Sequence, residues 1–199
     1  MTFPLTLSSH DQRQTWWNSL PPLWKQVFIE TLLNNNTNIT AQSLELICAS
    51  QVIRIVGPDG SYPNFTGTLQ NLEGLRALTQ IEYLFVTHCR LESLDGIESH
   101  RGLKSLFVNN NQLSSIGQVR YLGNLEELYI GNNAIESITP VRYCRALHTL
   151  HCEGNRLLSL QGIDRHHEKH LRIFRCLPNA YLPQREIIRI QNTYGILCR

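Results

Sequence analysis

At 199 residues, 42% hydrophobic and 17% charged, the chain is of single-domain size and too apolar to be disordered. A net charge of +2, with both signs interspersed, gives no field that would hold nucleic acid or an anionic membrane surface. No run approaches the roughly 18 apolar residues of a membrane helix, and the stretch Phe3 to Leu7, broken by Pro4 and Thr6 with no basic residue before it, makes a poor secretory signal.

From His10 to about Asn35 the pattern is helical and aromatic. Trp16, Trp17, Leu20, Leu23, Trp24, Val27, Phe28 and Leu32 recur at spacings of three or four. The Pro21-Pro22 break predicts one short helix and then a second that starts at the prolines. All three tryptophans lie here, where they are expected to cover an open end of the structure that follows. Thr40 is placed to cap a third short helix carrying Leu44, Ile47 and Cys48, so residues 1–49 read as a helical N-terminal cap. Val52 to Val56 reads as a strand with Ile53 and Ile55 inward, followed by a turn-rich insertion from Gly57 to Pro63.

From Leu69 onward a repeat takes over. Aligned at a period of 22 residues, Leu103, Leu125 and Leu147 coincide, then Leu106, Leu128 and Leu150, then Val108, Ile130 and Cys152. Asn111, Asn133 and Asn155 follow, then Leu113, Ile135 and Leu157. An earlier copy runs from Ile81 through Leu84, Val86 and Leu91, with Cys89 in the asparagine slot. After Ile163 the register slips, since Leu171, Phe174, Cys176 and Asn179 lie 24 beyond their counterparts. The run Asp164 to His170 absorbs the excess as a solvated loop. Pro183 to Tyr194 then puts Ile187, Ile188, Ile190 and Tyr194 on a broad helical face with Gly195 as a stop, a helical C-terminal cap over residues 182–199.

A period of this length means stacked units, none of which buries its apolar face alone. Leu103-Lys-Ser-Leu106-Phe-Val108-Asn-Asn-Asn111-Gln-Leu113 fits L-x-x-L-x-L-x-x-N-x-L and resembles the leucine-rich repeat family. The resemblance covers residues 50–181 as about five repeats, the first irregular, and the repeat length is similar to that of bacterial internalins and of a eukaryotic phosphatase regulatory subunit. It implies an α/β fold: a right-handed leucine-rich-repeat solenoid with a concave parallel sheet and short turns or 3₁₀ helices on the convex side.

Alternation along each strand turns Leu106 and Val108 inward and Ser105, Phe107 and Asn109 away from the core. The asparagine after each strand turns in, where its amide can serve backbone groups exposed at the bend; left unpaired it would cost about 1–3 kcal/mol. Asn111, Asn133, Asn155 and Asn179 are therefore assigned to a structural ladder. The residue between the inward strand positions gives the column Arg54, Phe85, Phe107, Tyr129, His151 and Arg175, four rings between two guanidinium groups. Tyr83 and Glu127 fall in the column before it and Glu153 in the column after. Aromatics that merely shield one another would explain the ridge. Its composition also matches interface hot spots, and because a concave sheet has no second layer to cover it, these residues are taken as a surface for a protein or peptide.

Catalytic chemistry finds little support. The cluster His166-His167-Glu168-Lys169-His170 is one residue short of the zincin spacing H-E-x-x-H and falls in the inter-repeat loop. There is no phosphate loop and no nucleophile elbow. His88 is expected to face out while Cys89 faces in, so the two do not form a dyad. Cys152 and Cys176 occupy neighbouring inward slots where a disulfide is conceivable, but small core thiols fit equally, and the cysteines are read as reduced. That places the chain in the cytoplasm, with the sequons at Asn35, Asn38 and Asn64 incidental. The expectation is a non-enzymatic protein-binding module without cofactor or metal, with two capped ends that favour a monomer. Narrower alternatives are a regulatory or targeting subunit of an enzyme such as a phosphatase, or a bacterial effector secreted to act on host proteins. A small metal-dependent enzyme built on His166, His167 and His170 stands as the alternative from another class. Arg120, Arg142, Arg145 and Arg165 recur on the expected convex side and offer a second candidate surface.

Overall fold

The computed structural model describes residues 7–199, so the stretch from Phe3 lies almost wholly outside the described residues. Three short helices come first: α1 (His10–Ser19), α2 (Pro22–Thr31) and α3 (Ala41–Ala49). Each start has a local cause. Ser9 Oγ accepts from the Gln12 amide at 3.2 Å while the Gln12 side chain accepts from the Ser9 amide at 3.0 Å. Pro22 opens α2, where a missing N–H costs nothing, and Thr40 Oγ1 accepts from the Ser43 amide at 3.2 Å. Trp16, Trp17 and Trp24 gather around Phe28, with ring centroids 5.6 to 6.3 Å from it. The Trp24 ring lies directly over Gly74, so closely that a Cβ there would occupy the space of the indole.

Six strands follow: β1 (Val52–Val56), β2 (Tyr83–Thr87), β3 (Ser105–Phe107), β4 (Glu127–Tyr129), β5 (Thr149–His151) and β6 (Ile173–Arg175). They form one parallel sheet in chain order, with Ile53, Leu84, Leu106, Leu128, Leu150 and Phe174 in one register row. All six side chains in that row are buried, and one continuous core runs from Trp16 to Ile196. The returns between strands carry 3₁₀ turns at Glu73–Leu75, Gly117–Tyr121 and Thr139–Tyr143. A polar column one period apart sets these bends: Asn71 Oδ1 and the hydroxyls of Ser93, Ser115, Ser137 and Ser159 each accept the amide two residues on, at 3.1 to 3.4 Å. Sequence reading passed over this column.

Both outer edges of the sheet are occupied by the chain itself. At β1, Asn64 Oδ1 accepts from the Val56 amide at 2.7 Å and its Nδ2 donates to the Arg54 carbonyl at 2.9 Å, so the insertion folds back as a short pairing partner. At β6, the Cys176 and Leu177 amides donate to the Arg199 carbonyl at 2.9 and 3.1 Å, and the Arg199 amide returns to Phe174 at 3.1 Å. The expected broad face of the last helix needs correction. Helix α5 (Gln184–Tyr194) stops at Gly195, whose φ is +66°, but only Ile190 is fully buried and Ile188 is exposed. Alongside the helix, the extended tail with buried Ile196 closes the last strand.

The expected solvated loop between the last two repeats is also corrected. Residues Arg165–His170 form a helix, α4, because Asp164 caps it, accepting from the His166 amide at 3.0 Å. His167 turns into the core, and its Nδ1 lies 3.0 Å from Asp164 Oδ1.

Candidate functional site

Strand register brings the ring column together. Arg54 pairs with Phe85, Phe85 with Phe107, Phe107 with Tyr129, Tyr129 with His151, and His151 with Arg175. Phe85 and Phe107 stack with centroids 4.4 Å apart and planes within 15°, and Phe107 and Tyr129 at 4.2 Å and 12°. His151 follows at 4.4 Å, tilted by 40°. These spacings fall slightly below the roughly 4.8 Å between strands, so each ring leans on the next. Such contacts contribute about 0.5–1.5 kcal/mol each beyond burial. Their faces are used up in stacking, and what the half-buried ridge offers outward is ring edges and the Tyr129 hydroxyl. Arg54 and Arg175 stand exposed at its two ends.

The flanking columns differ from expectation in part. Tyr83 is exposed, but Ser105 and Thr149 are buried although they lie on the outer face, because their small side chains sit below larger neighbours. Ser105 Oγ donates to Glu127 Oε2 at 2.9 Å, and Thr149 Oγ1 lies 3.0 Å from His148 Nδ1. Glu153 leans toward Gly131, brings Oε1 within 3.7 Å of His151 Nδ1, and leaves Oε2 buried without a partner. Burial pushes the His151 imidazole below its usual range, against the opposing pull of Glu153, so the ridge ends on a neutral ring at neutral pH. Burial, aided by the charge of Glu127, raises the Tyr129 hydroxyl.

Beneath this face runs the asparagine ladder. Asn111 Oδ1 accepts from the Cys89 and Leu91 amides, both at 3.0 Å, and its Nδ2 donates to the Val86 carbonyl at 2.7 Å. Asn133 and Asn155 repeat the pattern one and two turns on, each with one amide accepted and two carbonyls served at 3.0 to 3.1 Å. Asn179 Oδ1 takes the Asn155 and Leu157 amides at 3.1 and 3.2 Å. Asn155 and Asn179 are buried, Asn111 and Asn133 half-buried. Cys89 supplies the donor half alone: its thiol points at the Thr87 carbonyl at 3.2 Å and that of Ile55 at 3.7 Å.

All six cysteines are free. Burial pushes Cys89 and Cys144 up to about 12 and Cys152 well above its ordinary range, so these thiols stay protonated and unreactive. His88 is half-buried rather than outward, in the left-handed region at φ +57°. It heads a column with Asn110, Asn132 and Gly154, at φ +57°, +55° and +66°. Asparagine and glycine accept that conformation most readily, and their recurrence was the unread signal for the bend after each strand. Among the described residues, no three histidine, cysteine, aspartate or glutamate side chains lie where they could share a metal ion. Sequence reading also missed the polar pairs before the strands, the Glu82–Lys104 ion pair at 2.7 Å and the Glu126 carboxylate 3.7 Å from the His148 ring.

Six in-register strands joined by short turns, with an asparagine ladder at their ends, define a leucine-rich-repeat solenoid. Residues 101–143 and 123–165 match the family model of leucine-rich repeats in two copies, so this stretch of the chain carries leucine-rich repeats. Among solved structures it is similar to an internalin (inlF) from Listeria monocytogenes, with 19% identity and a TM-score of 0.46 over 69% of this chain and 50% of that one. It is also similar to an internalin C2 (inlC2) from the same organism, with 18% identity and a TM-score of 0.43 over 82% of this chain and 86% of that one. The chain thus spans about half the length of the first of these. No curated protein matches it.

Proposed function

We propose that the protein is a non-enzymatic interaction module that binds a protein or peptide on the outer, concave face of its sheet. The observation that carries this reading is the stack of Phe85, Phe107 and Tyr129, held at 4.2 to 4.4 Å and left half-exposed, with no layer of the described residues above it. Ordered rings lose little side-chain entropy when a partner arrives, so their contact area converts to affinity with small loss. Arg54 and Arg175 bound the ridge as polar ends, and Tyr83, Glu127 and Glu153 supply directional groups beside it. In the same reading residues 1–49 and 182–199 act as caps, supported by Trp24 over Gly74 and by Arg199 on β6. Thiols packed as core residues support a reducing, cytoplasmic setting.

The test is capture from lysate of the source organism by the native chain and by the triple variant F85A/F107A/Y129A, with folding of both checked by circular dichroism. A partner held by the native chain should bind the variant at least about 30-fold more weakly, the loss of one or more hot-spot contacts. Equal retention by both would move the site off the ridge.

A further inference from the structure

The turns Gly117–Tyr121 and Thr139–Tyr143 carry the same tripeptide one period apart, Val119-Arg120-Tyr121 and Val141-Arg142-Tyr143. Both valines are buried, which fixes the orientation of each turn and sets Arg120 and Arg142 outward beside Tyr121 and Tyr143, which are 52% and 53% exposed. Between the turns lies a groove of about 290 Å³ lined by Ser115, Arg120, Ser137, Thr139, Arg142 and Tyr143, with no carboxylate among its lining side chains.

Along this column of turns, Arg76 and Asp164 are each engaged by neighbouring residues. Arg76 bonds Glu73 and lies 3.9 Å from Glu98. Asp164, one period beyond Arg142, is committed to the His166 amide and to His167. Among the described residues neither Arg120 nor Arg142 forms an ion pair. Arg120 Nε donates to its own turn, to Gly117 O at 3.0 Å, which leaves the other guanidinium N–H groups without a hydrogen-bond partner among the described residues. Two like charges on adjacent turns repel, and an anion between them converts repulsion into two charge-assisted contacts. Hydroxyls complete the groove: Ser115 Oγ accepts from the Gly117 amide and keeps its own hydrogen to donate, and one of Ser137 and Thr139, 2.9 Å apart, can do the same.

We propose that this groove binds a phosphate monoester, with the dianion bridging Arg120 and Arg142. Two guanidinium groups match a double charge better than the single charge of a sulfate monoester. This site lies on the turns, apart from the sheet ridge, and does not rest on it.

The isotopically labelled full chain is titrated with phenyl phosphate and, separately, with phenyl sulfate, following the arginine Nε–H resonances by NMR. Phenyl phosphate should give saturable shifts of the Arg120 and Arg142 signals. Affinity should fall about tenfold in R120A and in R142A, partly recover in R142K, and stay unchanged in R54A on the sheet face. The absence of saturable shifts in the native protein overturns the proposal without recourse to any variant. Affinity retained by the R120A/R142A double variant also overturns it, and equal affinity for phenyl sulfate overturns the assignment to a dianion.

Discussion

His100 is fully buried in the slot that Leu78, Leu122 and Cys144 fill at the same register, and neither ring nitrogen makes a hydrogen bond of ordinary geometry. Burial drives its pKa below the usual imidazole range, opposed more weakly by the carbonyls of Ile97, Leu75 and Leu78 and by the charge of Glu98. The native state therefore keeps His100 neutral while the unfolded chain takes up a proton as pH falls below about 6.5. More protons on the unfolded state means that stability rises with pH in this window. The contribution is complete above the unfolded pKa and is lost as pH falls toward the folded one. Urea unfolding of H100L at pH 7 and pH 5 should show a smaller loss of stability on acidification than the native protein. An equal loss in both would assign the acid sensitivity elsewhere, with His167, also depressed by burial, the next group to substitute. The inward leucines were legible because the alternation of a strand repeats; His100 was not, because a polar residue in a turn reads as exposed until the period is carried through the turn as well.

For the strand-end bends, the ladder makes a sharper demand than the leucines. Asn133 accepts one amide and donates to the Val108 and Ile130 carbonyls, all at 3.0 Å, with Gly131 O a further acceptor at 3.3 Å. N133A should cost about 3 kcal/mol in unfolding free energy, since it strands backbone groups on two successive turns. N133C should cost less, since Cys89 already serves such a slot as a donor; a cysteine variant as unstable as the alanine one would show that the acceptor half carries the bend. The asparagine column was readable as structural from its position at the strand end. The serine column at 93, 115, 137 and 159 was equally periodic, yet a serine in a turn carries little weight by itself, and its role shows only when the amide two residues on is seen pointing at it. The helix α4 escaped reading because His167 had to be placed in the core before Asp164 could be recognised as its cap.

Across the molecule, a stack of parallel strands has two open ends, and here both are closed by segments outside the period. Removal of residues 196–199 should expose the β6 edge and the apolar surface under Ile196, lowering stability and allowing edge-to-edge pairing of two chains. Light scattering coupled to gel filtration should then show a concentration-dependent dimer; a strictly monomeric truncation would mean that α5 alone protects the edge. The ring ridge was legible because register follows from a fixed period, whereas the closure was not, because Asn64 and Arg199 reach their partners through loops whose paths no local pattern records.

The gathering of Trp16, Trp17 and Trp24 around Phe28 also divides the molecule optically. With every tryptophan of the chain in α1 and α2, intrinsic fluorescence excited at the red edge of indole absorption reports on that end alone, while the repeats from β3 onward contribute only tyrosine. Far-ultraviolet circular dichroism sees both. Denaturation followed by the two signals therefore gives a built-in measure of cooperativity along the stack: coincident curves mean that the ends melt together, and separated curves mean that one end lets go first.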